Sequence, residues 1–135
     1  MESSTDNLEA IAESIRQGFS AKDSAREKAL QLCREVIRHS AKAIRAVHRG
    51  EYDTARASLS DTRGLLSKVE AILTEYNDLA HAGFIHDAQK EYAEGSITLA
   101  GVFHDSLPPP GTLGVSYAAY LNGLGEAAGE LRRHL

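Results

Sequence analysis

Between Tyr52 and Tyr76, apolar or small side chains recur at alternating spacings of three and four residues. The positions concerned are Tyr52, Ala55, Leu59, Thr62, Leu66, Val69, Leu73 and Tyr76. This spacing places them on one side of an α-helix and is typical of helices that pack side by side at a shallow angle. A helix with such a seam needs partner helices, so the chain is expected to fold as a helical bundle.

Similar patterns predict three further helices. The first is expected to begin near Ser24, with Glu27 at the capping-box position, and to end at Gly50. The third is expected over about 84–104, and the fourth from about 113–116 to the last residue. Three consecutive prolines lie within the segment 105–112, which is expected to be a loop. Because no strand pattern is present, the sequence predicts an all-α antiparallel bundle of about four long helices.

A chain of 135 residues has the size of one domain. We expect a polar N-terminal arm over 1–20, either loose or a first short helix, and a helical domain over 21–135. The single cysteine, Cys33, excludes an intrachain disulfide and a cysteine metal cage, and it fits a small core residue. The acidic N-terminus is unlike a signal peptide, and no apolar run reaches the roughly 18 residues that span a bilayer. These features favour a cytoplasmic protein that does not contact a membrane.

Four glutamates lie in pairs on the third and fourth predicted helices. Glu91 and Glu94 are three residues apart, and Glu126 and Glu130 are four apart, so each pair shares one side of its helix. Small residues around the second pair permit the close approach of another helix or of a ligand. Two such helices can converge on an acidic pocket, where like charges raise one another's pKa and a divalent cation resolves the repulsion. Carboxylate oxygens suit Mg²⁺ or Mn²⁺, and such a cation can activate water for phosphodiester hydrolysis.

The same glutamates are also compatible with an ordinary protein surface. Pairs at this spacing are common, and Lys90 and Arg133 are available as ion-pair partners. A ferritin-like di-iron site needs Glu-x-x-His, and the nearest match, Glu130 with His134, has a spacing of four instead of three. The residues alone therefore leave a metal site and a structural role for these acids both open.

Basic residues are concentrated in one segment, although the formal net charge of the chain is −4. Residues 22–49 carry eight basic and three acidic side chains, for a net charge of +5. Five of the basic residues recur at spacings of four and three and form the basic ridge, namely Arg34, Arg38, Lys42, Arg45 and Arg49. Such a ridge can follow a phosphate backbone, with an affinity that falls as the salt concentration rises. A solvated helix face without a ligand is the alternative.

Three segments together resemble the translin superfamily, which comprises translin, translin-associated factor X and archaeal single-gene relatives. They are REVIRHSAKAIRAVHRGEYDTA (34–55), GFIHDAQKEYAEG (83–95) and LGVSYAAYLNGLGEAAGELRR (113–133). The resemblance extends over about residues 24–135. Its most specific parts are the Glu-Tyr-x-Glu motif of the third helix and, in the fourth, Tyr-Leu-x-Gly followed by Glu-Leu-x-Arg.

The resemblance implies an all-α bundle that assembles into octameric shells around single-stranded RNA or DNA. For the factor X type it also implies Mg²⁺-dependent cleavage of RNA, with the catalytic and metal-binding acids falling on Glu91, Glu94, Glu126 and Glu130. The family usually has Asp where this chain has Glu126, so the reach of that carboxylate differs. The basic ridge falls in the region that resembles the family's nucleic-acid-contacting helix.

Members of the family continue beyond the Glu-Leu-x-Arg motif with further helices, so we expect a truncated form of the fold and an oligomer that need not be a complete octamer. The resulting expectation is a Mg²⁺-dependent endoribonuclease that acts on single-stranded RNA within a homo-oligomer. The main alternative is a non-catalytic protein that binds single-stranded RNA or DNA. A further alternative is a helical domain that only self-associates.

Overall fold

The structure is a computed structural model that describes residues 3–134. Within this range the chain forms five α-helices: α1 (Ser4–His48), α2 (Tyr52–Glu75), α3 (Gly83–Val102), α4 (Pro110–Leu113) and α5 (Tyr117–His134). A short 3-10 helix, Asn77–His81, connects α2 to α3. Residues 3–134 contain no β-strand, which confirms the predicted all-α class. None of the helices in this range is long and apolar enough to cross a membrane.

The first helix, α1, is longer than the sequence patterns predict. It begins at Ser4 after the N-cap residue Ser3, whose side-chain oxygen accepts a hydrogen bond from the Asp6 backbone N–H at 3.2 Å. The prediction that Ser24 caps this helix is therefore wrong, because Ser24 lies inside a continuous helix of 45 residues. No proline precedes Ser24, and a single glycine such as Gly18 costs only about 1 kcal/mol in a helix, so nothing ends the helix earlier.

The core of the bundle lies where α1, α2 and α3 meet, and α5 packs chiefly against α3. Gly50 adopts φ +75° after α1, so the chain reverses within a short turn and α2 runs antiparallel to α1. The predicted seam of α2 faces the core, and its buried members are Ala55, Leu59, Thr62, Leu66 and Val69. Cys33 of α1 is buried among them, as predicted, and burial raises the pKa of its thiol to about 11.

The proline-rich segment forms the predicted loop only over 105–109, because residues 110–112 belong to the short helix α4, and the segment as a whole precedes α5. Pro110 occupies the first turn of the short helix α4. The Tyr120 hydroxyl donates a hydrogen bond to the Pro108 carbonyl at 2.8 Å, which ties α5 to the loop. Immediately before α5, the Ser116 hydroxyl accepts a hydrogen bond from the Ala119 backbone N–H at 3.1 Å. These contacts determine which side of α5 faces α3.

Candidate metal and nucleic-acid site

Helix α5 approaches α3 very closely at Gly123. A β-carbon at this position would lie 2.8 Å from the Lys90 carbonyl oxygen and 2.9 Å from the Ala93 β-carbon, which is closer than such atoms normally come. The interpretation that small residues let α5 approach a neighbouring helix is therefore confirmed at Gly123. Gly125 and Gly129 differ, because a β-carbon at either position would meet no atom of the described residues within 4 Å.

This close packing brings together three of the four predicted glutamates. One carboxylate oxygen from each of Glu91, Glu94 and Glu126 lies within 4.8 Å of the other two. Glu91 and Glu94 come from neighbouring turns of α3, and Glu126 lies about one turn after Gly123 on α5. Their surroundings differ, since Glu94 is only 6% exposed, Glu91 is half-buried and Glu126 is exposed. Together the three residues form the acidic cluster.

The acidic cluster is electrostatically unfavourable when all of its members are ionised. Burial raises the pKa of Glu94 to about 8, and a hydrogen bond with Glu126 and the charges of Glu91 and Glu126 contribute to the same effect. Glu94 is therefore largely protonated at neutral pH and can donate a hydrogen bond to a neighbouring carboxylate. A divalent cation would replace that proton and offset the repulsion among the three carboxylates.

Lys90 supplies the nearest positive charge to the acidic cluster. Its ammonium nitrogen lies 3.3 Å from a Glu126 oxygen and 3.7 Å from a Glu91 oxygen, which confirms that it is available as an ion-pair partner. Burial acts to lower the pKa of Lys90, but the hydrogen bond and charge of Glu126, together with Glu91 and Asp87, outweigh burial and leave that pKa raised. One lysine faces the carboxylates of both Glu91 and Glu126, and Glu94 adds a further negative charge when it loses its proton, so the cluster can accept more positive charge.

Glu130 lies apart from the acidic cluster. Its carboxylate is 2.6 Å from His48 Nε2 of α1 and 3.4 Å from the Arg133 guanidinium. The His48 ring in turn lies 6.0 Å from the ring of His134. The assignment of Glu130 as a fourth metal ligand therefore stays a prediction. Sequence reasoning missed the role of His48, because the two residues are 82 positions apart and no local spacing signals their contact.

An open groove of about 580 Å³ adjoins the acidic cluster. It is lined by His86, Asp87, Lys90, Leu121, Asn122, Gly125 and Glu126. His86 Nε2 and the Asn122 amide nitrogen are 3.0 Å apart, so these side chains join α3 to α5 across the groove. The groove gives solvent and polar ligands access to the Glu126 side of the cluster. Neither His86 nor Asn122 belongs to a recognisable motif, and only the structure identifies them as neighbours of the site.

The basic ridge lies on the solvent-facing side of α1, and all five of its residues are exposed. Arg49 pairs with Glu51 at 3.2 Å. Across residues 3–134, the other four form no ion pair with a carboxylate, namely Arg34, Arg38, Lys42 and Arg45. The ridge is therefore a row of largely uncompensated positive charge, as a phosphate-binding surface requires.

The C-terminal end of α1 contacts α5 through the side chain of His48. His48 lies between the ridge residues Arg45 and Arg49, and it contacts Glu130 of α5. Glu130 is about one helical turn from Glu126. The His48–Glu130 contact therefore links α1 to the helix that carries Glu126.

Comparisons with known proteins point to one group of relatives, although no family model matches the sequence. An uncharacterized protein of Methanocaldococcus jannaschii, MJ0175, is 29% identical in an alignment of 118 residues that covers 84% of this chain and 51% of that protein. The crystal structure of AfC3PO is 31% identical, with a TM-score of 0.80 over 91% of this chain and 63% of that one. An AfC3PO–duplex RNA complex gives 30% identity and a TM-score of 0.76 with the same coverage. The crystal structure of apo-NeC3PO is 20% identical, with a TM-score of 0.80 over 99% of this chain and 67% of that one.

These likenesses confirm the predicted resemblance to the translin superfamily, to which the C3PO structures belong. The chain has the translin-type helical fold. It spans about half the length of MJ0175 and 63% of the AfC3PO chain.

Gly123→Ala should force α5 away from α3 and disturb the acidic cluster. Because the added β-carbon would meet the α3 backbone at 2.8 Å, we expect the free energy of unfolding to fall by about 2 kcal/mol. Gly125→Ala is the matched control, since the space around Gly125 is open, and it should raise that free energy by up to about 1 kcal/mol. Urea denaturation followed by circular dichroism measures both values, and equal effects would contradict the close contact at Gly123.

Glu94→Gln should remove a pH dependence of stability. The folded protein holds a proton on Glu94 up to about pH 8, whereas the unfolded chain releases it near the ordinary value of 4.5. The metal-free protein should therefore lose stability as pH rises between these values, by at most about 1.4 kcal/mol per pH unit from this group. Glutamine keeps the shape without the ionisation, so the variant should lose this slope and be the more stable protein at pH 8. Denaturation in chelator at a series of pH values tests this, and parallel curves would contradict the burial of an ionisable Glu94.

Proposed function

We propose that this translin-like chain is a Mg²⁺-dependent endoribonuclease of the translin-associated factor X type that cleaves single-stranded RNA. The acidic cluster carries the proposal, because a buried carboxyl group with a raised pKa lies against two further carboxylates at the edge of an open groove. Perturbed acids in a groove are characteristic of functional sites. An arrangement that is unfavourable for folding is better explained by a ligand that it binds.

The donor set fits Mg²⁺, with Mn²⁺ as a second candidate. All three residues offer hard carboxylate oxygens, and a protein usually contributes one or two such groups to a Mg²⁺ site that retains several waters. Glu91 and Glu94 would hold the cation from α3, and Glu126 from α5. Bound Mg²⁺ supplies Lewis-acid activation of water and neutralises phosphate charge.

The exposed members of the site would act on the substrate. Glu126 borders the groove and is placed to accept a proton from the attacking water. The water oxygen would form a bond to phosphorus, the phosphorus–oxygen bond to the leaving nucleotide would break, and the leaving oxygen would take up a proton from solvent. Lys90, 3.3 Å from Glu126 on the groove wall, can donate hydrogen bonds to a phosphate oxygen as the negative charge there grows.

The basic ridge would bind the RNA backbone. Its five exposed cations match a polyanion in charge and read no base sequence. Because AfC3PO has been solved in complex with duplex RNA, duplex RNA is tested beside single-stranded RNA. As in the family that the chain resembles, we propose that it acts as a homo-oligomer.

A non-catalytic protein that binds single-stranded RNA or DNA is the second candidate. The contacts of Lys90 with Glu126 and Glu91 favour it, because an ion pair of this kind can hold the acids in place without a metal. Both candidates predict binding through the basic ridge, and only the enzyme predicts cleavage that depends on the acidic cluster.

Glu91→Gln and Glu126→Gln should each lower the rate of RNA cleavage by about 100-fold or more, because each removes a carboxyl group while it keeps the side-chain shape. Glu130→Gln should cause a smaller loss of about 10-fold, since Glu130 contacts His48 and lies outside the cluster. Glu75→Gln, an exposed position at the end of α2, is the control and should retain full activity. The measurement is cleavage of labelled single-stranded and duplex RNA with Mg²⁺ and with chelator.

We expect RNA cleavage to be lost in chelator and in the two cluster variants, whereas RNA binding should be unchanged. Binding without cleavage by the wild-type chain in both Mg²⁺ and Mn²⁺ would instead favour the non-catalytic protein. A Glu130→Gln loss as large as that of Glu126→Gln would place Glu130 in the catalytic site.

Arg38→Gln should weaken RNA binding and lower its salt dependence. Removal of one phosphate contact is expected to reduce the slope of log affinity against log salt by about 0.7 for a single strand. Lys68→Gln is the matched control, because Lys68 is an exposed cation of α2 that lies off the ridge. Fluorescence anisotropy at several salt concentrations measures RNA binding by both variants. Equal changes in slope for the two variants would contradict RNA binding by the basic ridge.

A further inference from the structure

An apolar hollow of about 360 Å³ lies at the start of α5. It is lined by Pro110, Tyr117, Tyr120 and Leu121, and these four residues form the tyrosine shelf. Tyr117 is 79% exposed and Leu121 is 65% exposed. Within residues 49–134, no other large apolar side chain is as exposed as these two. Because removal of apolar surface from water is favourable, the shelf is suited to bind an apolar surface of a ligand.

The tyrosine shelf has a defined shape before any ligand binds. The Tyr120 hydroxyl donates a hydrogen bond to the Pro108 carbonyl at 2.8 Å, so the Tyr120 ring is fixed against the proline-rich loop. Tyr117 and Leu121 are four residues apart on α5 and therefore share one side of the helix. A hollow that is already formed costs little further ordering when a ligand enters it.

The tyrosine shelf is continuous with the open groove that borders the acidic cluster. Leu121 lines both the shelf and that groove. One turn further along α5, Gly125 keeps the groove wall open, since a β-carbon there would meet no described atom within 4 Å. Along the helix axis, Leu121 is about 8 Å and Tyr117 about 14 Å from Glu126. A strand with a phosphate beside Glu126 can therefore place a nearby base on the shelf.

The size and charge of the tyrosine shelf favour a nucleobase over a protein as its ligand. A stable protein interface needs about 20–30 residues on each side, whereas the shelf has four. None of these four side chains is charged, so the shelf itself offers no partner to a phosphate. Lys90 on the adjoining groove wall does offer one. Nucleobases are planar and uncharged, and they stack on aromatic side chains.

We propose that the tyrosine shelf binds an unpaired nucleobase near the scissile phosphate of the RNA, stacked on the Tyr117 ring and in contact with Leu121. The inference rests on the proposed function, because it requires RNA in the groove. A base within a duplex is paired and stacked on its neighbours, so only an unpaired base reaches the shelf. Stacking uses the face that all bases share, so the shelf distinguishes unpaired from paired RNA without reading the sequence.

Tyr117→Ala should weaken the binding of single-stranded RNA by about 10-fold and leave the binding of duplex RNA unchanged. Tyr117→Phe is the matched control and should bind like the wild type, because it keeps the ring. The slope of log affinity against log salt should stay the same in both variants, since neither removes a charge, in contrast to Arg38→Gln. Fluorescence anisotropy measures all of these values. Tyr117 is exposed, so both variants should fold.

A fluorescent base tests the stacking itself. The probe is a single-stranded RNA with one 2-aminopurine between abasic positions, whose fluorescence is quenched when the base stacks on an aromatic ring. In chelator, which prevents metal-dependent cleavage, the wild type and Tyr117→Phe should quench the probe. Tyr117→Ala should bind it through the backbone without quenching.

The two tests separate this inference from the proposed nuclease. Quenching that depends on Tyr117 in a chain that does not cleave RNA would contradict the nuclease and support the shelf. Cleavage by a chain whose quenching and single-strand affinity are unchanged in Tyr117→Ala would overturn the shelf and leave the nuclease. Equal losses of single-stranded and duplex binding in Tyr117→Ala would also overturn it, and a wild type that binds no RNA would overturn both.

Discussion

The contact between Gly123 and the backbone of α3 sets the geometry on which the candidate site depends. A side chain at this position would meet the Lys90 carbonyl oxygen at 2.8 Å, so any larger residue would hold α5 away. At the distance that glycine permits, Glu126 reaches the two carboxylates of α3 about one turn further along. The arrangement of the acids therefore depends on the packing of α5 against α3. Gly123 lowers the helix propensity of α5, but it allows the approach that brings Glu126 to the other two carboxylates.

The same proximity creates an electrostatic strain that the protein alone relieves only in part. Burial leaves Glu94 with a pKa of about 8, so it retains a proton, and Lys90 offsets part of the charge on Glu126 and Glu91. The acidic cluster can therefore exchange the Glu94 proton for a cation, and its member Glu126 borders an open groove. Buried charged groups seldom stabilise a fold, so their presence here is more consistent with ligand binding than with packing.

Local patterns in the sequence were sufficient for most helices and for the acidic pairs, but not for the contacts between distant residues. The seam of α2 and the proline-rich loop follow from helical periodicity and proline geometry, which need no knowledge of the rest of the chain. The predicted start of α1 is too late, because Ser24 and Glu27 match a capping box although they lie inside the helix, whereas Leu8, Ile11, Ile15 and Phe19 already recur at helical spacings. Helical periodicity predicts that Glu126 and Glu130 lie on the same side of α5. It does not predict that Glu130 contacts His48 instead of the acidic cluster, because those two residues are 82 positions apart in the sequence.

Calorimetric titration of the chain with Mg²⁺ and with Mn²⁺ tests the acidic cluster most directly as a cation site. Measurements below and above the Glu94 pKa of about 8 should show tighter binding at the higher pH, because the cation competes with the Glu94 proton. Proton release on binding should appear as a heat that varies with the ionisation enthalpy of the buffer. We expect one cation per chain in the wild type and at least about 10-fold weaker binding in Glu94→Gln. Binding that is absent for both ions, or unchanged by this substitution, would contradict a metal site formed by Glu91, Glu94 and Glu126.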